Sequence, residues 1–455
     1  GGGRIMIGGD YQGKNPDIQN ANVTYFGPDA TLKADAGKVG DGGTVIIWSD
    51  DTTRAYGSIS ARGGALGGDG GFVETSGHNS LDARGIRVTA AAGLGGKAGK
   101  WLLDPVDLDI IPGVGIPVAL GPIFAPGSGG TIADGDINYT FSFLGGTDLT
   151  IQSNNGTGGS GRITMTGATI NGNGHNFSLL AYSDGAANTG NISVSGSSIN
   201  NVATLTLIAG WDGAGTAATD VVADRGNMIV SQSIINAGNV NLFGGGDLTF
   251  GSAAATTQTL VNASANMHIV GRNITLTGGD GTISSSQGPG VVLKSMGAQT
   301  ITAGNQILLQ AGSADNTTFS GSPQYGGSVG ISSDASQIVS GKFIRIRAGA
   351  GGHDNSAQIQ AYGGQTINIT GTGGQLEVTG GGGAGSYNNQ ARVLHGRWTG
   401  PGTYEGVGNQ TININGGGSV EIAGGSGDGT LGYYDQDCVD GGNSVATCRG
   451  SSNSA

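Results

Sequence analysis

The sequence predicts an all-β chain wound as a parallel β-helix, or β-solenoid. Three observations lead to this fold class. Glycine accounts for 95 of the 455 residues, Val, Ile and Thr recur throughout, and short alternating apolar segments follow glycine turns. Disorder would require high net charge and few β-branched residues, and collagen would require glycine at every third position. Stacked short strands fit the composition, because each coil buries its apolar face only against its neighbours.

A recurrent device in the first hundred residues joins a glycine turn to an alternating strand. It occurs at residues 2–7, 42–47, 70–75 and, more loosely, 99–103. Alternation places every second side chain on one face, which a solenoid buries in its interior. We therefore expect residues 1–104 to form a first solenoid section.

The second half of the chain repeats a different cue, a Gln-Thr pair followed by an aliphatic residue. The cue occurs at Gln258, Gln299, Gln365 and Gln410, with a diverged copy at Gln337. Its spacing is too irregular for a propeller or a helical repeat, which indicates variable loops inserted into constant coils. A second solenoid section is predicted over residues 131–435, and residues 436–455 are interpreted as a C-terminal tail.

Prolines cluster between these two sections. Residues 101–130 hold five of the ten prolines, and proline cannot donate a hydrogen bond to a strand ladder. We expect a Pro-rich excursion from the regular coil here, with residues 105–130 as a Pro/Gly-rich connection. Helix signals are nearly absent along the chain.

Charge and hydropathy exclude two classes of partner. The formal net charge is −12 at pH 7, and no basic stripe is present to neutralise nucleic-acid phosphates. No run of 18 apolar residues predicts a membrane-spanning helix. The chain begins in mid-pattern at Gly1, without Met or a signal peptide, and is interpreted as a processed product or a fragment.

The chemistry-bearing residues form no recognisable catalytic pattern. Pectin-degrading β-helix enzymes need paired carboxylates on one face, whereas Asp50 and Asp51 are adjacent and should point to opposite faces. His175 belongs to a partial match to a polygalacturonase element at residues 173–175 and is interpreted as a loop or surface residue. No metal-ligand spacing relates the other four histidines, His78, His268, His353 and His395. No metal or cofactor is predicted, and we expect no enzyme activity.

Calcium binding and glycosylation are also weighed. Gly/Asp-rich turns such as residues 67–70 offer oxygen ligands, but the nonapeptide calcium repeat does not recur, and plain turns are favoured. Asn-x-Ser/Thr triplets are frequent, yet a chain this rich in Asn, Ser and Thr contains many by chance.

Residues 386–408 depart from the repeat and contain a candidate contact loop. Aromatic and arginine side chains outside a core are typical of binding patches. A loop packed over its own solenoid would have the same composition, so both interpretations stay open. The candidate contact residues are Tyr387, Arg392, His395, Arg397, Trp398 and Tyr404.

The most specific motifs of the chain lie in its opening third. They are GGDYQGKN at residues 8–15, ATLKAD at 30–35, DGGTVIIWSD at 41–50, SISARGG at 58–64 and LLDP at 102–105. With these motifs, residues 1 to about 110 resemble the filamentous haemagglutinin-like exoproteins of the two-partner secretion family. Beyond this block the likeness is limited to Gly/Asn/Thr-rich repeats.

The resemblance implies a right-handed parallel β-helix that is exported through an outer-membrane secretion pore. Such proteins serve as adhesins, haemagglutinins, biofilm components or carriers of a terminal toxin. We therefore expect a secreted structural or adhesive exoprotein that forms a rod or fibre at the bacterial surface. Its expected partners are the secretion pore, a host or neighbouring-cell surface or extracellular matrix, and further copies in a filament. The family's N-terminal secretion domain is missing from this chain, which is read as the distal part of a longer product.

The two cysteines, Cys438 and Cys448, lie close to the end of the sequence. A disulfide between them would suit an exported, oxidising environment, and two unpaired thiols are the alternative. Two cysteines without neighbouring histidine do not complete a tetrahedral zinc site. Some adhesins of this type end in a disulfide-closed loop that anchors them in the secretion pore, and the resemblance implies that role here.

Two other function classes stay open. A carbohydrate-active β-helix enzyme, a polysaccharide lyase or hydrolase, would require clustered carboxylates in a groove. A toxin-delivery shaft would require a terminal catalytic module, which residues 451–455 do not supply. Within the structural class, exposed strand ends template further pairing, so head-to-tail stacking and simple truncation are both consistent with the sequence.

Overall fold

The computed structural model confirms the predicted fold class. Half of it is strand and 3% is helical, and its parallel strands form a long sheet that is wound nearly closed, as in a parallel β-helix. The structure describes residues 1–114, 129–154, 159–280, 288–313, 327–351, 355–382, 389–400, 403–423 and 447–449.

The chain divides into two compact units. Unit 1 comprises Gly1–Met228 with Asn236–Gly245, and unit 2 comprises Ile229–Ile235 with Gly246–Ala455. The elements of unit 1 are β1 Arg4–Ile7, β2 Val23–Phe26, β3 Thr31–Lys33, β4 Thr44–Ile47, β5 Thr52–Ala55, β6 Ser58–Ser60, β7 Phe72–Thr75, β8 Ser80–Asp82, β9 Arg87–Thr89, β10 Gly99–Leu103, β11 Leu108–Ile111, β12 Gly129–Ala133, the helix α1 Asp134–Phe141, β13 Thr147–Gln152, β14 Ile163–Thr166, β15 Thr169–Asn171, β16 Phe177–Tyr182, β17 Ile192–Ser195 and β18 Ser198–Trp211.

Two strands contain residues of both units, β19 Met228–Ser231 and β20 Ile234–Gly244. The elements of unit 2 are β21 Asp247–Gly251, β22 Thr259–Ala263, β23 Met267–Thr277, β24 Val291–Ser295, β25 Gln299–Gln310, β26 Val329–Ser333, β27 Gln337–Gly341, β28 Phe343–Arg347, β29 Ala357–Ala361, β30 Gln365–Ile369, β31 Gln375–Thr379, β32 Ala391–His395, β33 Arg397–Gly400, β34 Thr403–Glu405, β35 Gln410–Ile414, β36 Ser419–Ala423 and β37 Thr447–Arg449.

Three walls of stacked segments enclose the interior of unit 1. The first wall runs β1, β4, β7, β10, β13, β16. The second runs β2, β5, β8, β12, β11, β14, β17. The third contains β3, β6 and β9, followed by α1 and β15. All strand pairs in these walls are parallel, and each turn of the chain adds one segment to every wall, except that the fourth turn adds both β12 and β11 to the second wall.

The glycine-turn device of the sequence builds the first wall. Val45, Val73 and Trp101 occupy the same position in β4, β7 and β10, and all three are fully buried. Each buried side chain of this size stabilises the fold by about 1.5–3 kcal/mol. The glycine before the strand is required by close stacking, because a Cβ at Gly71 would lie 2.1 Å from the carbonyl oxygen of Gly43.

The predicted Pro-rich connection, residues 105–130, contains parts of the second wall, namely the start of β12 and the whole of β11. Pro105 lies between β10 and β11, and both of these strands pair with neighbouring layers. Residues 115–128, which include Pro117, Pro122 and Pro126, are outside the described residues. The chain returns as β12, which pairs with β8 on one side and β11 on the other. A segment that follows β11 in the sequence therefore precedes it in the wall.

The helix α1 takes the place of a strand in the third wall. Sequence reasoning missed it, because Ala133 supplies no side-chain cap at its start. Its first turn carries Asp134 and Asp136, whose negative charges suit a helix N-terminus. The buried Asp136 carboxylate accepts a hydrogen bond from the backbone N–H of Gly85 at 2.7 Å and pairs with Arg87 at 2.5 Å. Contacts with an earlier layer therefore hold a helix that the local sequence does not predict.

Unit 2 also has three walls, and one of them contains a glutamine ladder. The ladder consists of Gln299, Gln337, Gln365 and Gln410, one in each of four layers. Each Nε2 donates to the Oε1 of the preceding glutamine, at 2.7, 2.7 and 2.6 Å. The first three side chains are buried, so the ladder satisfies amide groups that would otherwise be costly in an apolar interior. The Gln-Thr cue of the sequence therefore marks an inward polar column.

Candidate functional site

The predicted contact loop contains an antiparallel hairpin that does not join the solenoid walls. Strands β33 and β34 pair with each other, and the register places Trp398 beside Tyr404 and Arg397 beside Glu405. Two of the predicted aromatic residues are thus brought to neighbouring strands. Tyr387 lies outside the described residues.

Two other predicted contact residues, Arg392 and His395, belong to a wall rather than to the hairpin. Both lie in β32, which pairs with β29. His395 aligns with Ala361, which is buried, whereas Arg392 aligns with the half-exposed Gln358. The alternation of a strand therefore directs these two side chains to opposite faces. The Nε2 atom of His395 is buried without a hydrogen-bond partner, so His395 is an inward residue.

Other residues named in the sequence analysis either make contacts within the fold or lie outside the described residues. Cys448 lies in β37, which pairs with β36, while Cys438 is not described, and the disulfide stays a prediction. His175 stacks on Phe141 with ring centroids 6.3 Å apart. The Asp50 carboxylate accepts a hydrogen bond from the Trp48 indole at 3.0 Å. Among the residues that the structure describes, no group of three or more His, Cys, Asp or Glu could hold a metal ion.

No helix in the described part of the chain combines the length and apolarity needed to cross a membrane.

Sequence reasoning missed a cluster of three carboxylates on the first wall of unit 1. The carboxylate cluster consists of Asp10, Glu74 and Asp104. Residues 8–22 form a loop that folds over the outward face of this wall, and the ring of Tyr11 in this loop lies 5.8 Å from that of Phe72. This loop buries Glu74, although Glu74 lies in β7 at a position where the strand faces outward.

Gln12 connects the loop to two members of the cluster. Its backbone N–H lies 3.3 Å from both carboxylate oxygens of Glu74, and its side-chain Nε2 donates to Asp104 at 3.1 Å. Gln152 donates a second hydrogen bond to the same Asp104 oxygen at 2.8 Å. The other oxygen, Oδ1, is buried and has no hydrogen-bond partner. Gln12 adopts a left-handed backbone conformation, with φ of 52°, so the loop accepts local strain to make these contacts.

The three carboxyl groups of the cluster differ in pKa because their surroundings differ. Burial raises the pKa of Glu74 to about 8, and the nearby charges of Asp104 and Asp10 act in the same direction. Burial likewise raises the pKa of Asp104 to about 6. Hydrogen bonds from the Asn15 side chain and the Tyr11 N–H lower the pKa of Asp10, and Arg4 forms an ion pair with it. At neutral pH the cluster therefore holds a protonated Glu74 beside an ionised Asp10.

An open groove of about 610 Å³ adjoins the loop on the same wall. Arg4 and Lys100 supply positive charge to its lining, and Tyr11 and Phe72 supply aromatic rings, with no carboxylate among the lining residues. Cationic and aromatic groups of this kind are suited to contacts with a partner surface. The raised-pKa carboxyls are sealed beneath the loop, so the groove has the composition of a contact surface.

One signal in the sequence could have revealed Glu74. The register aligns Ile46 of β4, Glu74 of β7 and Leu102 of β10. An acidic residue between two aliphatic neighbours in aligned repeats indicates a position covered by another part of the chain.

Comparison of the sequence with protein-family models and with curated proteins yields no match. The likeness of residues 1 to about 110 to the filamentous haemagglutinin-like exoproteins stays a prediction.

Proposed function

We propose that this chain is a structural and adhesive β-solenoid of a secreted bacterial surface exoprotein. The observation that carries the proposal is the separation of two features on the first wall of unit 1. The open groove presents Arg4, Lys100 and Phe72, whereas Glu74 and Asp104 are sealed under the loop. An accessible surface with contact chemistry and without accessible acid groups favours attachment over hydrolysis.

The repeated layers support the same role. Each layer satisfies its backbone and buried amides against its neighbours, as the glutamine ladder does in unit 2. Outward side chains are then free to vary without loss of the fold, so a stack of layers is a suitable carrier for contact surfaces. The hairpin that bears Trp398 and Tyr404 is a second candidate surface of this kind.

Adhesion is tested with the purified chain on monolayers of host epithelial cells. We expect saturable binding that falls at least fivefold in Lys100→Ala with Phe72→Ala, or in Trp398→Ala with Tyr404→Ala. Lys33→Ala is the matched control, because Lys33 is exposed on the third wall. Binding of the unchanged chain at the level of an unrelated β-solenoid would overturn the proposal.

We also propose that the partners include further copies stacked end to end. The open strands at a solenoid end offer unpaired N–H and C=O groups that template pairing. Electron micrographs of natively purified material test this proposal. Continuous fibres built from this chain alone would support it, and isolated short particles at all concentrations would refute it.

One observation favours a second candidate, a carbohydrate-active enzyme. Carboxyl groups with raised pKa values concentrate at catalytic sites, and Glu74 and Asp104 are two such groups within reach of one glutamine. Cleavage of polygalacturonate that Glu74→Gln and Asp104→Asn each abolish would establish this alternative. We expect no cleavage, because the loop covers both carboxyls.

A further inference from the structure

Four exposed aliphatic side chains lie at successive turns of unit 1. Val39, Leu66, Leu94 and Leu144 are 65%, 68%, 81% and 94% exposed, and we call them the apolar stripe. Each comes directly before a glycine with positive φ, between 71° and 146°. Such backbone conformations favour glycine, and the four turns share an aliphatic tip followed by a glycine with positive φ.

Hydrogen bonds between the turns align the four tips. The backbone N–H of Leu66 donates to Lys38 at 2.9 Å, and that of Gly93 donates to Gly68 at 2.9 Å. The N–H of Ala92 donates to Gly145 at 3.2 Å. The first turn thus contacts the second, the second the third, and the third the fourth. Adjacent layers of a parallel ladder are about 4.8 Å apart, so the four tips lie in four successive layers.

A line of four exposed aliphatic residues differs from the scattered apolar residues of an ordinary surface. Phe143 extends it at the fourth turn, where its ring packs against Tyr139 with centroids 5.1 Å apart. The cost of exposing such a side chain recurs in four successive layers, which indicates a partner that covers them together.

The spacing of the stripe limits which partner surfaces can cover all four tips. Its repeat is the repeat of a parallel β-ladder, and a surface that meets all four tips in register must have the same repeat. A second copy of this stripe has that repeat together with the same apolar tips. We propose that unit 1 pairs with unit 1 of a second copy of this chain through the apolar stripe, in antiparallel orientation.

Charge selects the antiparallel orientation. The second turn carries Asp69 and the third carries Lys97, both exposed, and the N–H of Lys97 donates to the Asp69 carboxylate at 2.8 Å. A two-fold axis between these turns places Asp69 of each copy beside Lys97 of the other. Parallel pairing would instead oppose Lys97 to Lys97, which is unfavourable. The pairing is independent of the proposed adhesive function and of stacking at the solenoid ends.

Cysteine cross-linking tests the orientation. Antiparallel pairing brings Leu66 of one copy opposite Leu94 of the other. In a background of Cys438→Ser with Cys448→Ser, a mixture of Leu66→Cys and Leu94→Cys chains should form covalent dimers under mild oxidation, at least tenfold faster than Leu66→Cys alone. Met296→Cys is the control, because Met296 is 57% exposed and lies outside the stripe. Equal rates for Leu66→Cys alone and for the mixture would overturn the orientation.

Sedimentation equilibrium tests the pairing itself. We expect a reversible dimer whose dissociation constant rises at least tenfold in Leu66→Ser with Leu94→Ser. The matched control is Met296→Ser with Ile338→Ser, which should leave the constant unchanged. A chain that is monomeric up to about 100 μM, or a dimer unaffected by the stripe substitutions, would overturn the proposal. A monomer that binds phosphatidylglycerol vesicles through the stripe would overturn it too and would assign the stripe to a lipid surface.

Discussion

Replacing Glu74 with glutamine tests whether Glu74 is buried and protonated in the folded chain. Burial raises the pKa of Glu74 from its ordinary value of 4.5 to about 8. Each pKa unit corresponds to about 1.36 kcal/mol, so ionising this buried carboxyl in the folded state costs about 5 kcal/mol. Glutamine has the same shape, keeps an oxygen that can accept the N–H of Gln12, and cannot ionise.

The free energy of unfolding depends on pH because the pKa of Glu74 differs between the folded and the unfolded chain. Between pH 4.5 and 8 the folded chain keeps the Glu74 proton while the unfolded chain releases it. The free energy of unfolding therefore falls as pH rises through this window and levels off above pH 8. Because the pKa of Asp104 is about 6, the range from pH 6.5 to 9 reports mainly Glu74, with an expected fall of about 2 kcal/mol.

Urea unfolding followed by tryptophan fluorescence measures this difference in unit 1. Trp48, Trp101 and Trp211 lie in unit 1 and Trp398 lies in unit 2, so a Trp398→Phe background makes the fluorescence report the unfolding of unit 1. Glu74→Gln should remove most of the fall between pH 6.5 and 9 and should stabilise unit 1 at pH 9. Glu377→Gln is the control, since Glu377 is paired with Arg347 in unit 2 and its pKa is lowered. An unchanged slope in Glu74→Gln would refute the buried, protonated state.

Three further substitutions test how the layers pack. Gly71→Ala should destabilise unit 1 by about 1–3 kcal/mol in urea titrations, because its Cβ would meet the Gly43 carbonyl, whereas Gly37→Ala should be nearly neutral since nothing lies within 4 Å of its Cβ. Gln337→Leu leaves two buried amide groups unsatisfied and should cost unit 2 about 2–4 kcal/mol, measured by circular dichroism; a neutral result would contradict the ladder. Asp136→Ala should destabilise unit 1 by about 3 kcal/mol by removing the partner of Arg87, and hydrogen exchange should then show faster opening of α1.

The sequence predicted what is local and repeated. The strands after Gly43, Gly71 and Gly99 follow from alternation and glycine turns, and the Gln-Thr cue located most layers of unit 2. The cue did not reveal the ladder, because a Gln-Thr pair does not by itself show in which wall the glutamine lies or which way its side chain points. Gln258 carries the same cue but precedes β22, in a different wall.

The parts that the sequence did not predict depend on contacts between distant residues. Gln12 and Glu74 are 62 positions apart, and no periodicity relates a loop to the strand that it covers. The helix α1 depends on Gly85 and Arg87, which lie 51 and 49 positions before Asp136. Residues 386–408 contain the separate hairpin of β33 and β34, but they also contain β32, which joins a wall, and alternation within β32 separates His395 from Arg392.

The position of β12 between β8 and β11 governs the order in which unit 1 can assemble. A solenoid that grows by adding each new strand to the last exposed edge would place β11 directly on β8. Here β11 reaches its final neighbour only after β12 has entered between them, and that strand is synthesised later in the chain. Growth of the second wall from the amino terminus must therefore pause after β8 and resume once β12 has been delivered, which makes the insertion of β12 a kinetic checkpoint of unit 1.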